Sequence, residues 1–266
     1  MANKLGTAVV TGASSGIGAV YADRLASRGY DLQLVARRND RLKVLANHLK
    51  SKYGVEANYV VADLGNAGDL QSFAARVRED QTINLLVNNA GVSYTAPSAQ
   101  LTPEKAQAQV NLNISALMQL SLAVLPGFLA RNSGTLINIS SVVALFTLPM
   151  VTTYSATKAF VSLFTQGLQE EVKDTEVRIQ AVLPAMTATD IWEIAGLPGG
   201  HAALDPETLM TAENCVDAAL AGLDAGELIT FPSLEHMETW EKFEHARLAI
   251  PAAVNTGTLA TRYAIG

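Results

Sequence analysis

A phenol and an ammonium stand one helical turn apart at Tyr154 and Lys158, and a hydroxyl, Ser141, lies thirteen residues upstream of the phenol. Side chains at i and i+4 share one face of a helix. A free phenol titrates near ~10 and an ammonium near ~10.4, so acid–base work near neutrality needs a lower phenol pKa, which a fixed cation within ~4–6 Å favours. Lowering it by about three units corresponds to roughly 4 kcal/mol. A tyrosine and a lysine at this spacing are common in helices that do no chemistry. The serine upstream, and a position just after a strand, set this pair apart.

A second group of residues suits an anion. Thr11-Gly12-Ala13-Ser14-Ser15-Gly16-Ile17-Gly18 joins an apolar run to a helical pattern. Glycines permit a tight turn and a close approach to the backbone, and the helix start offers unpaired N–H groups to a pyrophosphate. The spacing is G-x-x-x-G-x-G, not the G-x-G-x-x-G of the usual dinucleotide fingerprint. The end of the next apolar run supplies the discriminator. A dinucleotide without a 2′-phosphate is usually met there by a carboxylate; this chain has Arg37 and Arg38, with Arg37 nineteen residues after Gly18. A guanidinium clasps a 2′-phosphate with two charge-assisted hydrogen bonds, so NADP(H) is favoured over NAD(H). Arg37 and Arg38 would otherwise only solvate a helix start, where positive charge is unfavourable. Asp63 suits an adenine amino group, or equally a turn or cap. No metal is expected.

The elements that must hold these residues follow from alternation of β-rich runs with helical patterns, the mark of a parallel sheet with crossover helices. Strands are expected at 7–11, 31–36, 57–62, 84–87, 135–139 and 177–183, with a short one at 228–231. Helices are expected at 16–28, 40–53, 103–130, 152–173 and near 206–222. The helix at 103 is well marked, by Thr102 as N-cap, Pro103 and Glu104. Gly12, Arg37, Asp63, Asn88, Ser141 and Pro184 all fall just after strands, where parallel sheets bind ligands. The expected fold is α/β, a doubly wound Rossmann-type parallel sheet of about seven strands with helices on both faces. One domain is expected over 1–266, with a substrate flap near 186–204.

Together, Thr11–Gly18, Asn88-Asn89-Ala90-Gly91, Ile139-Ser140-Ser141 and Tyr154-x-x-x-Lys158 resemble, in order, the motifs of the short-chain dehydrogenase/reductase superfamily, single-domain type. The resemblance runs over residues 5–189. It implies a hydride transfer between a nicotinamide cofactor and a carbonyl or alcohol. Tyr154 would be the acid/base, Lys158 would hold the nicotinamide ribose and depress the tyrosine pKa, and Ser141 would bond the substrate oxygen, with Ser140 the other candidate. For the family's catalytic asparagine the candidates are Asn111 and Asn113; counting back twenty-eight residues from Ser141 selects Asn113. The cofactor would meet Gly12, Ser14, Ser15, Gly16, Ile17, Gly18, Asp63, Leu64, Asn89, Ala90, Gly91, Pro184, Thr187 and Thr189, bordered also by Asn88. Three positions depart from the family's pattern: Ser15 stands where many NADP(H) members carry a basic residue, Pro184-Ala185 replaces Pro-Gly, and Thr187 takes an often apolar position.

Composition bounds the rest. The chain has 266 residues, no linker-like run and no repeat, and its 25 acidic against 19 basic residues give a net charge of −6, which disfavours a nucleic-acid surface. The lone cysteine, Cys215, cannot form an internal disulfide and is expected to be structural. The N-terminus lacks a signal-peptide layout, and the apolar stretches 112–129 and 136–151 are interrupted by polar residues and read as poor membrane spans. A cytoplasmic location with no membrane partner is expected. Ile191, Trp192, Ile194, Leu197 and His201 in the flap, with Leu145, Phe146 and Leu148, suggest a mostly apolar pocket for a ketone or aldehyde. The helix carrying Leu112 to Leu125, beside Phe160 and Phe164, suits a subunit contact, so a homodimer or homotetramer is expected. A nucleotide sensor without turnover, or a nucleotide-sugar epimerase, would compete with this reading. The first predicts loss of Tyr154, Lys158 or Ser141, and the second a longer chain with a different glycine spacing.

Overall fold

Valine- and leucine-rich runs become seven strands of one parallel sheet in a computed structural model of the chain, which describes residues 5–263. In chain order come β1 (Thr7–Thr11), α1 (Gly16–Ser27), β2 (Asp31–Ala36), α2 (Asn39–Tyr53), β3 (Ala57–Val61), α3 (Ala67–Glu79) and β4 (Ile83–Asn88). The second half continues with α4 (Pro103–Gln109), α5 (Leu117–Arg131), β5 (Gly134–Ile139), α6 (Thr152–Val172), β6 (Val177–Val182), α7 (Ile191–Ile194), α8 (Ala212–Asp224), β7 (Ile229–Thr230) and α9 (Glu238–Val254). The strand order is β3-β2-β1-β4-β5-β6-β7. Its direction reverses between β1 and β4, and the crevice beyond their carboxyl ends is where such sheets take ligands.

Alternate side chains of each strand feed opposite layers. On one face Ala8, Val10, Leu32, Leu34 and Val87 pack with Tyr21 and Leu25 of α1, Leu42 and Leu49 of α2 and Val216 and Leu220 of α8. On the other, Val9, Val35, Leu86 and Leu136 pack with Phe73 of α3, Leu120, Val124 and Phe128 of α5 and Leu168 of α6. The sheet is therefore covered on both faces, as a Rossmann-type α/β fold requires. The chain divides into two compact units, Met1–Ser233 and Leu234–Gly266. The first holds the whole sheet. In the second, α9 has no buried residue.

Several elements differ from expectation, and α7 and α9 lie where no helix was placed. The helix α3 was not anticipated, although Asn66 caps it by accepting from Gly68 and Asp69, and Leu70, Phe73, Ala74 and Val77 recur at helical spacing. The single helix expected at 103–130 contains a π-helical segment, Val110–Ala116, between α4 and α5. The continuous run Pro103–Arg131 also contains an 18-residue window with a mean hydropathy of 1.6, long and apolar enough to cross a membrane by length and composition, where a poor span was expected; half of that window is buried in this fold. Near 206–222 a short 3-10 turn, Pro206–Thr208, precedes α8, which starts late because Thr211 provides the cap by accepting from Asn214 N–H.

Candidate active site

The carboxyl ends of the strands open into a cleft of about 620 Å³. At its first wall, the turn after β1 is shaped by Gly12 and Gly16, with φ of +68° and +53°, in the left-handed region that glycine tolerates. A Cβ on Gly12 would lie 2.7 Å from Asn89 Nδ2, so the turn is closed against the end of β4. Asn89 donates through that nitrogen to the Thr11 carbonyl at 2.9 Å, and Thr11 Oγ1 accepts from the N–H groups of Asn89 and Ala90 at 3.0 Å. These bonds tie the ends of the two central strands together. Ser15, at the N-cap of α1, makes no side-chain cap bond, and no acidic residue lies in the first turn. The start of α1 thus keeps N–H groups and partial positive charge for an anion.

Ser14, Ser15, Gly16 and Ile17 line this wall, and Leu64, Asn89, Ala90 and Gly91 line the next. Gly18 lies beneath the turn, where an added Cβ would meet the Gly12 carbonyl oxygen. Arg37 and Arg38 reach the same cleft from the end of β2. Arg37 is 65% exposed and only 3.9 Å from Asp63 Oδ2, whereas Arg38 donates to Ser14, Ser15 and Asp190. Asp63 Oδ1 accepts from Gly65 N–H at 3.0 Å, the turn role foreseen as its alternative. An open helix start, a glycine cradle and an exposed guanidinium fit a phosphorylated dinucleotide. Asn88 does not border the cleft. It points into the core and donates to Ser121 Oγ and Asn138 Oδ1, because its side chain falls on the α5 and α6 face of the sheet.

Across the cleft, the helical spacing of Tyr154 and Lys158 puts the lysine Nζ 5.6 Å from the tyrosine ring centroid. Nζ is anchored on the carbonyl of Ile139, at the end of β5, at 2.8 Å. Burial drives the Tyr154 phenol up to about 12, partly opposed by its hydrogen bond with Ser141. Burial also brings the Lys158 ammonium down to about 8. The protein's own residues therefore raise the phenol pKa, because desolvation dominates, and the expected lowering, shared between the lysine and an oxidised nicotinamide charge, would need that charge beside it.

The two serines separate clearly. Ser140 Oγ is committed to the Lys158 carbonyl and Ser162, both at 2.8 Å, while Ser141 faces the phenol. The two asparagines separate as well. Asn111 accepts from Gln107 near the surface. Asn113 is buried, accepts from Val92 N–H at 2.9 Å, and donates to the Val92 carbonyl and to Thr157 Oγ1. A Cβ added to Gly91 would meet Asn113 Oδ1 at 3.3 Å and Lys158 Nζ at 3.7 Å, so these three residues are immediate neighbours. The π-helical segment carries Asn113 at its centre; such segments often mark functional sites.

Pro184, Thr187 and Thr189 line the cleft after β6. The Thr187 carbonyl holds the Trp192 indole N–H at 2.8 Å, and Thr189 packs over the glycine turn, since a Cβ on Gly16 would meet its methyl at 3.0 Å. Ile191, Trp192, Ile194 and Leu148 line the substrate side, but Leu197, His201, Leu145 and Phe146 do not. Phe146 is exposed, and His201 lies beside Glu193 at 3.7 Å. Val143, Val151 and Met186 line the cleft in addition, and as single apolar residues in loops they carried no signal. Asp190 was also missed, because a lone aspartate in a loop says nothing about its distant partners.

A family model described as short chain dehydrogenase matches residues 6–196. Among solved structures, a short-chain dehydrogenase from Sphingobium yanoikuyae in complex with NADPH is 42% identical with a TM-score of 0.94, covering 98% of this chain and 100% of that one. A bulky-bulky ketone specific alcohol dehydrogenase from Comamonas testosteroni is 37% identical with a TM-score of 0.90, covering 99% and 100%. A curated relative, the very-long-chain 3-oxoacyl-CoA reductase of Anas platyrhynchos, is 38% identical over 192 residues, 71% of this chain and 62% of the relative. The chain thus spans less than two thirds of that reductase.

Proposed function

The chain belongs to the short-chain dehydrogenase family of oxidoreductases, which bind a nicotinamide cofactor, and on that premise we propose that it moves a hydride between NADP(H) and the carbonyl or secondary alcohol of a mostly apolar substrate. One observation carries the reading. The Tyr154 phenol, beside Ser141 and Lys158, shares a single cleft with an uncapped helix start and an exposed Arg37. The turn at Gly12 and the start of α1 would hold the pyrophosphate, and Arg37 the 2′-phosphate, while Lys158 would hold the nicotinamide ribose. The cofactor, when bound, supplies the hydride and, in its oxidised form, a positive charge near the phenol.

The chain's own groups would manage the proton. With its pKa pushed up to about 12, Tyr154 is protonated at neutral pH and suited to donate to a carbonyl oxygen. Ser141 would hold that oxygen by a hydrogen bond. Asn113, with its amide committed to Val92 and Thr157, would position the floor beneath Lys158.

The substrate side is walled by Val143, Leu148, Val151, Met186, Ile191 and Trp192. Among the described residues that line the cleft, the only lysine or arginine side chains are Arg37, Arg38 and Lys158, which are assigned above to the cofactor. That favours a neutral ketone or aldehyde over a coenzyme A thioester, whose phosphates call for further basic groups. The ketone named for the Comamonas testosteroni relative points the same way. We also propose a homodimer or homotetramer through α5 and α6, where Leu122, Leu129 and Leu163 stay exposed.

Purified protein, followed at 340 nm with NADPH and NADH against bulky ketones, aldehydes and a 3-oxoacyl-CoA, tests the reading, with Tyr154→Phe as control. Turnover that prefers NADPH and ketone and disappears in the variant supports it. Failure to bind either cofactor overturns it.

A further inference from the structure

At the edge of the cleft, beside the glycine turn, two guanidiniums and a hydroxyl converge on one carboxylate. Asp190 Oδ2 accepts from Arg38 and from Arg41, each at 3.0 Å, and Ser15 is a further hydrogen-bond partner. Arg38 spans the turn at the same time, donating through Nε to Ser14 at 3.1 Å and through Nη2 to Ser15 at 2.6 Å. Asp190 stands at the N-cap of α7, where an aspartate ordinarily accepts from the free N–H groups of its own helix. Here no such cap bond forms, and the side chain turns to the arginines instead. Partial burial raises its pKa, but hydrogen bonds from Arg38, Ser15 and Arg41 outweigh this and hold the carboxyl below the usual range. Paired guanidiniums with a serine hydroxyl are the donor set that a phosphate monoester takes.

We propose that Asp190 is a resident anion of the phosphate-recognition site, and that it sets the selectivity between NADP(H) and NAD(H) by competing with the 2′-phosphate for Arg38 and Arg41. This rests on the reading of the cleft as an NADP(H) site. Arg37, exposed and only loosely paired with Asp63, takes first hold of an incoming phosphate. Arg38 and Arg41 join once the phosphate displaces the carboxylate. A cofactor without that phosphate has nothing to exchange and leaves both ion pairs in place. Asp190 directly precedes Ile191 and Trp192 in the chain, so its release at the cofactor end also frees the start of the helix that walls the substrate side.

Calorimetric titration of 2′,5′-ADP and 5′-AMP into the wild-type protein, D190N and D190A provides the test, with thermal melts to show that the variants are folded. Loss of two partly exposed ion pairs that compete with the ligand is expected to tighten 2′,5′-ADP by about 3- to 30-fold and to leave 5′-AMP unchanged. The NADPH:NADH ratio of kcat/KM should rise with it. An affinity for 2′,5′-ADP that is unchanged or weaker in the variants overturns the role of Asp190, as does an equal gain for 5′-AMP. A wild-type protein that binds NADPH no better than NADH overturns the cofactor preference proposed above, and it leaves the comparison between variants to decide Asp190 separately.

Discussion

Burial shifts the pKa values of Tyr154 and Lys158 in opposite directions, and each direction has a measurable consequence. With the phenol pushed up to about 12 and the ammonium down to about 8, carbonyl reduction is expected to hold up to about pH 8 and to fall as Lys158 loses its proton. Alcohol oxidation, which needs the phenolate, should rise toward alkaline pH; pH profiles of kcat/KM in both directions check this. Tyr154→Phe removes the proton donor, and the loss should be about 10²- to 10⁴-fold in kcat, with NADPH affinity retained in a fluorescence titration. The buried lysine also leaves a mark on stability. Its folded pKa of about 8 lies below the ordinary 10.5, so between these values the unfolded chain binds more protons and stability rises with pH. The rise amounts to about 3 kcal/mol. Urea unfolding between pH 8 and 10 should show it in the wild type and not in Lys158→Met.

At the scale of elements, the turn between β1 and α1 works because the helix start can sit against the strand end. A Cβ on Gly18 would fall 2.4 Å from the Gly12 carbonyl oxygen and 2.5 Å from Asn89 Nδ2. Neither can give way without moving the turn, so Gly18→Ala is expected to cost about 1–3 kcal/mol of stability and to weaken NADPH binding; urea midpoints and cofactor titration measure both. The π-helical segment between α4 and α5 is the other element on which the site depends. It brings Asn113 in under Gly91 and Lys158 while α4 keeps its Thr102 cap and α5 its packing on the sheet. The sequence marks the start of this helix plainly. It carries no proline or glycine at the π segment to announce the change of winding, since Val110–Ala116 reads as ordinary helix.

At the scale of the molecule, one sheet with helices on both faces buries its strands and gathers every loop of the site at one edge. Part of what remains apolar on the outside lies on α5 and α6, beside the exposed apolar residues of α9 and of the loops. Leu163 is 62% exposed and Leu122 47%, and the Phe160 and Phe164 rings stack 5.6 Å apart on the same helix. If this face joins subunits, sedimentation velocity at micromolar concentration should find a dimer or tetramer, and Leu163→Glu should shift it toward monomer. A wild-type monomer would sink the proposed assembly.

Local patterns in the chain were enough to specify the strands, the glycine turn and the Tyr154–Lys158 pair. Strand alternation, positive-φ turns and i, i+4 spacing are decided within a few residues, and α3, although not anticipated, carries a local signal in its Asn66 cap and apolar period. Choices between neighbours needed more than local pattern, and it was the family's spacing that pointed to Ser141 and Asn113. Ser140 and Ser141, or Asn111 and Asn113, differ only in which face of an element they occupy, and that depends on how the element packs. The engagement of Arg38 by Asp190 joins residues 152 positions apart, and the raised phenol pKa arises from burial among several loops. Such contacts and desolvation are properties of the assembled cleft, so only the tertiary structure decided them.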